Sequence, residues 1–252
     1  PRVTIFFFRE SGMSISLEGK VVVVSGASAG IGFAVARQLT AQGAQVIALG
    51  RNASALQDLV AQCKPGSVEV RAGDLNDPQY LSDLDRGIAQ VDYFVNNAGV
   101  LTYAPLMALT DEEIDDMFLT NVLASIRLTR LLTKKMVSQQ SGHLVFMTST
   151  GARSVFKLAV GYCATKHALS AFAKGFRLEL QSEGIKVTEI APGMVDTNIR
   201  SNSKHPAVSA ALGARTFSPL TADEVAESVV FALQANPNAC PDLIELRPSG
   251  SY

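Results

Sequence analysis

The stretch Val21-Val22-Val23-Val24-Ser25-Gly26-Ala27-Ser28-Ala29-Gly30-Ile31-Gly32 carries the features that decide the fold. Its four consecutive valines predict a strand that is buried on both faces. The glycines that follow are spaced G-x-x-x-G-x-G, and apolar residues then recur with a helical period at Val35 and Leu39. A glycine-rich turn at a helix start lets backbone amides approach a phosphate, so this stretch predicts a nucleotide-binding unit. A tight strand-to-helix turn would need the same glycines.

The rest of the chain repeats the alternation of strand and helix patterns. Apolar runs predict six more strands, at 44–49, 68–72, 91–95, 143–147, 186–191 and 243–246. Such alternation predicts an α/β fold, a Rossmann-type doubly wound parallel sheet with helices on both faces. The polar stretch from Asn198 to Pro219 predicts a long loop, which is typical of a lid or a disordered segment.

Composition excludes several classes of function. With 252 residues, 47% hydrophobic and 18% charged, the chain has ample core, and its net charge of -1 argues against nucleic acid or membrane partners. Three widely spaced cysteines predict reduced thiols and a cytoplasmic location. The histidines lack metal-ligand spacing, and no apolar run is long enough to span a membrane. Because Met13 looks like the natural start, we expect residues 1–12 to be an N-terminal extension or expression remnant and 13–252 to form one catalytic domain.

A second stretch, Tyr162-Cys163-Ala164-Thr165-Lys166, begins a helical run and carries the predicted chemistry. Residues four apart lie on one face of a helix, so Tyr162 and Lys166 point the same way. A phenol titrates near ~10, and an ammonium ~4 Å away at an effective dielectric of ~20 contributes about 4 kcal/mol, enough to bring that pKa toward neutrality. The pair predicts an acid–base tyrosine, although a surface lysine one turn from a half-buried tyrosine has the same spacing.

Residues after the second and third predicted strands indicate which nucleotide binds. An NAD site usually places a carboxylate after the second strand to hold the ribose 2′-hydroxyl. Here Arg51 and Asn52 occupy that place, and a guanidinium suits a 2′-phosphate, so the sequence favours NADP(H) over NAD(H). Arg51 as a solvated loop charge is the alternative. Asp74 either accepts a hydrogen bond from an adenine amino group or caps the next helix.

Polar residues follow the fourth and fifth predicted strands and also interrupt a helical run. Asn96-Asn97-Ala98-Gly99 suits a close passage of the chain past a cofactor, or a plain turn. Ser149 follows the fifth strand, where a hydroxyl is well placed to orient a substrate oxygen, although serine, threonine and glycine also simply form turns there. Asn121 lies within an apolar helical pattern and matters to function only if its side chain faces the site.

Together these motifs resemble the short-chain dehydrogenase/reductase family over almost all of residues 17–248. The glycine motif at 25–32, the Asn-Asn-Ala-Gly motif, Asn121, Ser149, Tyr162-x-x-x-Lys166 and Pro192-Gly193 stand in the family's order and spacing. Ser25 departs from the family's commoner threonine. The resemblance implies an oxidoreductase with one NAD(P)-binding domain, and a homodimer or homotetramer that pairs through helices at about 111–137 and 160–182.

The same resemblance implies a role for each matched residue. Tyr162 would be the general acid in reduction and the general base in oxidation, Lys166 would lower the Tyr162 pKa and bind the nicotinamide ribose, and Ser149 would hold the substrate oxygen. Asn121 would support a water chain that relays protons. The implied catalytic set is Asn121, Ser149, Tyr162 and Lys166. The implied cofactor set is Gly26, Ser28, Gly30, Ile31, Gly32, Arg51, Asn52, Asp74, Leu75, Asn97, Ala98, Gly99, Tyr162, Lys166, Pro192, Gly193, Val195 and Thr197, with the last two holding the carboxamide.

The substrate is less closely defined. The tail from 220 to 248 looks like the hydroxy-acid and serine dehydrogenase branch, and it lacks the Asp-Gly-Gly ending common in acyl-carrier-protein reductases. Apolar loop residues suit a small carbonyl or alcohol: Met194, Ile199, Ala207, Val208, Leu212 and Phe217. Lys204 or Arg215 could meet a carboxylate, although loop cations are normally solvated. We therefore expect an NADP(H)-dependent oxidoreductase that interconverts a carbonyl and a secondary alcohol, with a 3-oxoacyl thioester reductase or a non-catalytic dinucleotide sensor as alternatives.

Overall fold

Seven strands form one parallel sheet in the computed structural model, which describes residues 15–200, 203–208 and 216–251. The strands are β1 Val21–Ser25, β2 Gln45–Gly50, β3 Val68–Ala72, β4 Tyr93–Asn96, β5 Gly142–Met147, β6 Ile185–Pro192 and β7 Leu243–Leu246. Their order across the sheet is β3-β2-β1-β4-β5-β6-β7. This confirms the predicted doubly wound fold. The extension expected at residues 1–12 lies outside the described residues.

Helices cover both faces of this sheet. They are α1 Gly30–Ala41, α2 Ala53–Ala61, α3 Pro78–Gly87, α4 Asp111–Phe118, α5 Ser125–Gln139, α6 Val160–Glu179 and α7 Ala222–Leu233. Because successive strand residues point to opposite faces, β1 places Val22 and Val24 in a core with α1, α2 and α7, whereas Val23 enters a core with α3, α5 and α6. The helix predicted at 160–182 ends at Glu179, and a short 3₁₀ turn, Gln181–Glu183, follows it.

The continuous helix predicted at 111–137 is interrupted. Between α4 and α5 the segment Leu119–Ala124 forms a π-helical turn. Such turns insert an extra residue into a helix and are frequent at functional sites. Here the turn carries Asn121 into the protein, where its side chain is fully buried.

The strand order reverses beside β1, and a crevice opens there. β2 and β3 lie on one side of β1, and β4 lies on the other. Ligands of open α/β sheets bind at the carboxyl ends of the strands at such a point. The Ser25 hydroxyl oxygen accepts hydrogen bonds from the backbone amides of Asn97 and Ala98, each at 3.0 Å, and Asn97 Nδ2 donates to the Ser25 carbonyl at 2.9 Å. These bonds fix the separation of β1 and β4 at the mouth of the crevice.

The structure also bears on the cysteine thiols and on the length and hydropathy of the helices. Cys63, Cys163 and Cys240 are all free, as predicted from their spacing. None of the helices in the described chain combines the length and the hydropathy that a bilayer crossing requires.

His143 on β5 couples the stability of the sheet to pH. Its Nε2 lies 2.8 Å from Thr188 Oγ1, and that hydroxyl donates to the Pro241 carbonyl at 2.6 Å. The threonine proton is therefore engaged, so the imidazole donates from Nε2 and is neutral. Burial, reinforced by the positive charge of Lys186, lowers the pKa of His143 to about 3. The folded protein thus resists protonating this ring at pH values where the unfolded chain protonates it freely.

We predict that the free energy of unfolding falls as the pH is lowered from about 6.5 toward 3. The unfolded chain binds a proton at this histidine over that window and the folded chain does not, so the loss approaches about 1.4 kcal/mol per pH unit from this group. Urea unfolding at a series of pH values measures it. In His143→Gln, which keeps a donor at the same place, the slope between pH 6 and pH 4 should be clearly smaller, and an unchanged slope would contradict this assignment.

Candidate active site

A cleft runs along the carboxyl edge of the sheet and has two ends, each a cavity of about 380 Å³. The two cavities share six residues in their walls, so they form one continuous trough: Ile31, Asn97, Gly99, Leu101, Thr197 and Ile199. We call the cavity beside Ser28 and Arg51 the nucleotide end, and the cavity beside Ser149 and Tyr162 the reaction end. Every residue of the predicted catalytic and cofactor sets lines one of these ends, except Gly32 and Asn121.

The first turn of α1 forms the floor of the nucleotide end. Side chains cap α2, α3, α4 and α7, through Asn52, Asp77, Thr110 and Thr221. At α1, by contrast, the N-cap is Ala29, no side chain accepts a hydrogen bond there, and the first turn holds no acidic residue. Free amides at a helix N-terminus attract anions. This end of the cleft therefore suits the phosphates of a dinucleotide.

Gly32 does not line either cavity of the cleft, and its place in the cofactor set stays a prediction. It lies beneath the turn, where an added Cβ would overlap the Gly26 carbonyl oxygen and crowd Asn97 Nδ2. Gly26 itself has φ 68°, a left-handed conformation that favours glycine. Gly32 therefore acts by letting α1 approach the turn closely, and through the turn it shapes the phosphate floor.

The far wall of the nucleotide end contains Arg51, Asn52, Asp74, Leu75 and Asn76. Arg51 is exposed, whereas the Asn52 side chain accepts a hydrogen bond from Ala55 N and so caps α2. Asp74 does not cap α3, because Asp77 fills that role by accepting from Gln79 N. Instead the Asp74 carboxylate accepts from Asn76 N at 2.8 Å within the cleft wall.

One atom of this wall supports a purine at this end. Asn76 Oδ1 is buried and has no hydrogen-bond partner among the described residues. Burying an acceptor without a partner is costly, and the amino group of an adenine would satisfy it. A dinucleotide therefore fits the residues present, with phosphates over α1 and a base near Asn76.

Tyr162 and Lys166 are buried together on α6, as their spacing predicted. Lys166 Nζ lies 5.7 Å from the centroid of the Tyr162 ring and donates to the Met147 carbonyl at 2.8 Å. The ammonium thus faces the ring and the end of β5. Burial lowers the pKa of Lys166 to about 8.

The expected lowering of the Tyr162 pKa by Lys166 is not what the structure gives. Burial raises the pKa of Tyr162 above its ordinary value, and a hydrogen bond with Ser149 only partly opposes this shift. The desolvation of a phenolate outweighs the charges near it, and Lys166 is placed over the ring. At neutral pH the phenol is therefore protonated, and Lys166 remains largely cationic.

Ser149 stands beside this phenol and also forms two hydrogen bonds with the backbone. Its Oγ accepts from Gly151 N at 3.0 Å and donates to the Pro192 carbonyl at 3.4 Å. The second bond is long and therefore weak. The hydroxyl proton can turn from Pro192 toward a substrate oxygen at little cost.

Asn121 does not line either cavity of the cleft, and its catalytic role stays a prediction. Its Oδ1 accepts from Val100 N at 2.7 Å, and its Nδ2 donates to the Val100 carbonyl at 2.9 Å and to Thr165 Oγ1 at 3.0 Å. Thr165 in turn donates to the Tyr162 carbonyl. Asn121 therefore joins the chain after β4 to the helix that carries Tyr162 and Lys166.

The walls of the reaction end include residues that the sequence did not single out. Of the predicted loop residues, Met194, Ile199, Val208 and Phe217 line it, and it also contains Leu101, Tyr103, Phe156, Lys157, Leu158, Arg200 and Arg247. Lys204, which we expected near a substrate carboxylate, lines a separate cavity beside His205 and Glu113. Leu212 and Arg215 lie outside the described residues. Arg200 follows β6 in a stretch without periodic pattern, so only its charge and place after a strand end could have indicated it.

The family model described as short chain dehydrogenase matches residues 20–207. An uncharacterized oxidoreductase of Staphylococcus aureus (strain USA300) is 33% identical over 237 residues, covering 92% of this chain and 98% of the relative.

Similar solved structures agree in fold. A serine dehydrogenase complexed with NADP+ matches with a TM-score of 0.83 and 26% identity, covering 90% of this chain and 94% of that one. An alcohol dehydrogenase from the archaeon Thermococcus sibiricus, complexed with 5-hydroxy-NADP, matches with a TM-score of 0.80 and 26% identity, covering 93% and 98%.

We predict that Gly32→Ala destabilises the protein and weakens its binding of nucleotide, because the new methyl group has no room against the Gly26 carbonyl. The cost of such overpacking is about 1–3 kcal/mol. Thermal unfolding and titration with NADPH measure both effects.

The matched control is Gly175→Ala on α6, where an added Cβ meets nothing within 4 Å. The free energy of unfolding of that variant should rise by up to about 1 kcal/mol, because alanine favours the helix. Equal stabilities of the two variants would contradict the role given to Gly32.

Proposed function

The chain belongs to the short-chain dehydrogenase family, and we propose that it is an NADP(H)-dependent oxidoreductase that interconverts a carbonyl and a secondary alcohol on a small substrate. One observation carries this proposal. A single cleft joins an uncapped helix N-terminus and Arg51 at one end to Ser149, Tyr162 and Lys166 at the other. The dinucleotide and the substrate would then meet where the two cavities join.

The choice of NADP(H) rests on the nucleotide end. Arg51 and Asn52 follow β2 without a carboxylate, Ser28 faces them, and a guanidinium pairs well with a 2′-phosphate. NADP+ and 5-hydroxy-NADP occupy the two similar structures described above. Val195, Thr197 and Gly193 line the cleft where the cofactor's nicotinamide carboxamide would lie. When bound, the nicotinamide supplies or takes the hydride, and the protein supplies orientation and proton transfer.

Tyr162 acts as the proton donor in reduction. Because burial raises the pKa of its phenol, the group holds its proton at neutral pH and releases it only as negative charge develops on the carbonyl oxygen. The phenolate left behind is stabilised by the nearby Lys166 ammonium, whose pKa of about 8 keeps it charged at pH 7. In oxidation the same phenolate takes the proton from the alcohol.

Ser149 and Asn121 support this step in different ways. The Ser149 hydroxyl, released from its long bond to Pro192, donates to the substrate oxygen and holds it beside the phenol. Asn121 positions α6 against the chain after β4 and so fixes the line of approach to Tyr162. A proton relay past Lys166 remains part of the proposal for Asn121.

Two alternatives carry less weight. A 3-oxoacyl thioester reductase has no specific support in the tail sequence, whereas the reaction end is a cavity of about 380 Å³ with mostly apolar walls, which suits a small substrate. A dinucleotide sensor would not require Ser149, Tyr162 and Lys166 to line one cavity.

Assembly and location belong to the same proposal. Exposed apolar side chains on the π turn and its flanks and on α6 support a homo-oligomer: Phe118, Leu119, Leu123, Val160 and Leu178. The three free thiols support a cytoplasmic location.

We predict that Tyr162→Phe lowers kcat about 10²- to 10⁴-fold while NADPH binding changes little, because the phenol donates a proton and contributes little to binding. Steady-state turnover and an NADPH titration measure these two effects. Tyr93→Phe makes the same chemical change on β4 outside the cleft and should keep its activity. Activity equal to wild type in Tyr162→Phe would refute the proposed mechanism.

We predict that Arg51→Ala weakens NADPH binding about 10- to 100-fold and NADH binding by less than about threefold, because only NADPH carries the 2′-phosphate. The dissociation constants of both nucleotides measure the selectivity. Arg86→Ala removes an exposed arginine of α3 and should change neither constant. An unchanged ratio in Arg51→Ala would remove this residue from cofactor selection.

A further inference from the structure

The reaction end of the cleft has a one-sided charge. Its lining includes four basic side chains, those of Lys157, Lys166, Arg200 and Arg247, and no aspartate or glutamate among the described residues. The remaining walls are mainly apolar. A mostly apolar cavity in which all formal charges are positive favours a ligand that carries negative charge.

Three of these four cations are already hydrogen-bonded, ion-paired or solvated. Lys166 donates to the Met147 carbonyl beside Tyr162. Arg247 is paired with Glu245, at 2.6 Å through Nη2. Lys157 is exposed at the rim, where its charge is solvated. The fourth cation, Arg200, has no carboxylate within ion-pair distance among the described residues.

Arg200 is instead held by neutral groups. Its Nη2 donates to the Val195 carbonyl at 2.8 Å. Burial raises the pKa of Tyr103 and that of Tyr162, and the positive charge of Arg200 partly opposes both shifts, so the guanidinium lies near both phenols. Val195, Tyr103 and Tyr162 all line the reaction end. The guanidinium therefore lies near the proton donor, and it has five N–H donors, of which the hydrogen bond to Val195 engages one among the described residues.

We propose that Arg200, together with Tyr103, binds a carboxylate of the substrate, so that the enzyme acts on small oxo acids and the matching hydroxy acids. This inference rests on the proposed function and adds the substrate class. The planar guanidinium fits a carboxylate with two parallel hydrogen bonds, and the Tyr103 hydroxyl adds a third donor. Arg200 is then a specificity-determining residue: it orients the acid so that the carbonyl reaches Tyr162 and Ser149.

The bonds of Arg200 also suggest a purely structural reading, in which it only ties the segment after β6 to the segment after β4. The two readings differ in a measurable way. A structural tie affects every substrate alike. An anion site affects a substrate only when that substrate carries the charge.

The test compares acids with their uncharged esters in the full chain. Pyruvate, acetoacetate and levulinate place the carboxylate at increasing distance from the carbonyl, and each has a methyl ester with the same carbonyl. NADPH oxidation is measured for each of the six compounds with wild type, Arg200→Met and Arg200→Lys. Methionine keeps an apolar stem without charge, and lysine keeps the positive charge without the planar guanidinium and its paired N–H donors. Arg86→Met, on the exposed face of α3, is the matched control.

We expect wild type to prefer at least one acid over its ester. Arg200→Met should lower kcat/KM for that acid about 10- to 100-fold, mainly through KM, and change the value for the ester less than about threefold. For the same acid, the kcat/KM of Arg200→Lys should lie between those of wild type and Arg200→Met. The kcat/KM of Arg86→Met should equal that of wild type.

Three results would overturn the inference in distinguishable ways. Equal loss for acid and ester in Arg200→Met would leave only the structural tie. A wild type that reduces esters as well as acids would remove the carboxylate from recognition while leaving the oxidoreductase intact. If wild type binds NADPH but reduces none of the acids, esters or simple ketones, the proposed function fails, and this inference fails with it.

Discussion

The hydrogen bonds between Ser25 and the Asn97 segment are the constraint on which the cleft depends. They hold the ends of β1 and β4 at a fixed distance where the connections of the sheet diverge. The turn after β1 can then lead into α1 only if α1 passes very close to Gly26, which is why Gly32 has no room for a side chain. The uncapped amides of α1, the turn and the chain after β4 are thereby brought to one edge. The surface that suits phosphates is therefore formed mainly by backbone amides, with few side chains involved.

At the other end of the cleft, the balance between burial and charge sets the protonation states of Tyr162 and Lys166. A lysine near a tyrosine can lower the phenol pKa, but only if the gain exceeds the cost of desolvating a phenolate. Here burial dominates for both groups: it raises the pKa of Tyr162 and lowers that of Lys166. The pair therefore rests as a neutral phenol beside an ammonium that is easily neutralised. At neutral pH the phenol of the resting pair therefore still carries its proton.

Much of this could be predicted from the sequence, for a physical reason. A strand that is buried on both faces, such as β1 with its four valines, appears in the sequence as a continuous apolar run. The G-x-x-x-G-x-G spacing that follows indicates where the next helix begins. Tyr162 and Lys166 share a face by helical period alone. The π turn at Asn121 could not be predicted, because its flanking apolar residues keep a spacing that suits an α-helix equally well. Arg200 was also missed, since a loop has no period to reveal which of its cations turns inward; Lys204, equally basic in the sequence, lines a different cavity.

The most direct test of the central claim is a titration of the purified protein with NADPH and NADH by fluorescence, followed by absorbance at the nicotinamide band when small carbonyl compounds are added. We predict that NADPH binds at least about tenfold more tightly than NADH, in line with one charge-assisted contact to the 2′-phosphate, and that NADPH is then consumed in step with the alcohol formed. Binding of NADPH without its consumption by any carbonyl compound would contradict the assignment as an enzyme. Tighter binding of NADH would contradict the role of Arg51.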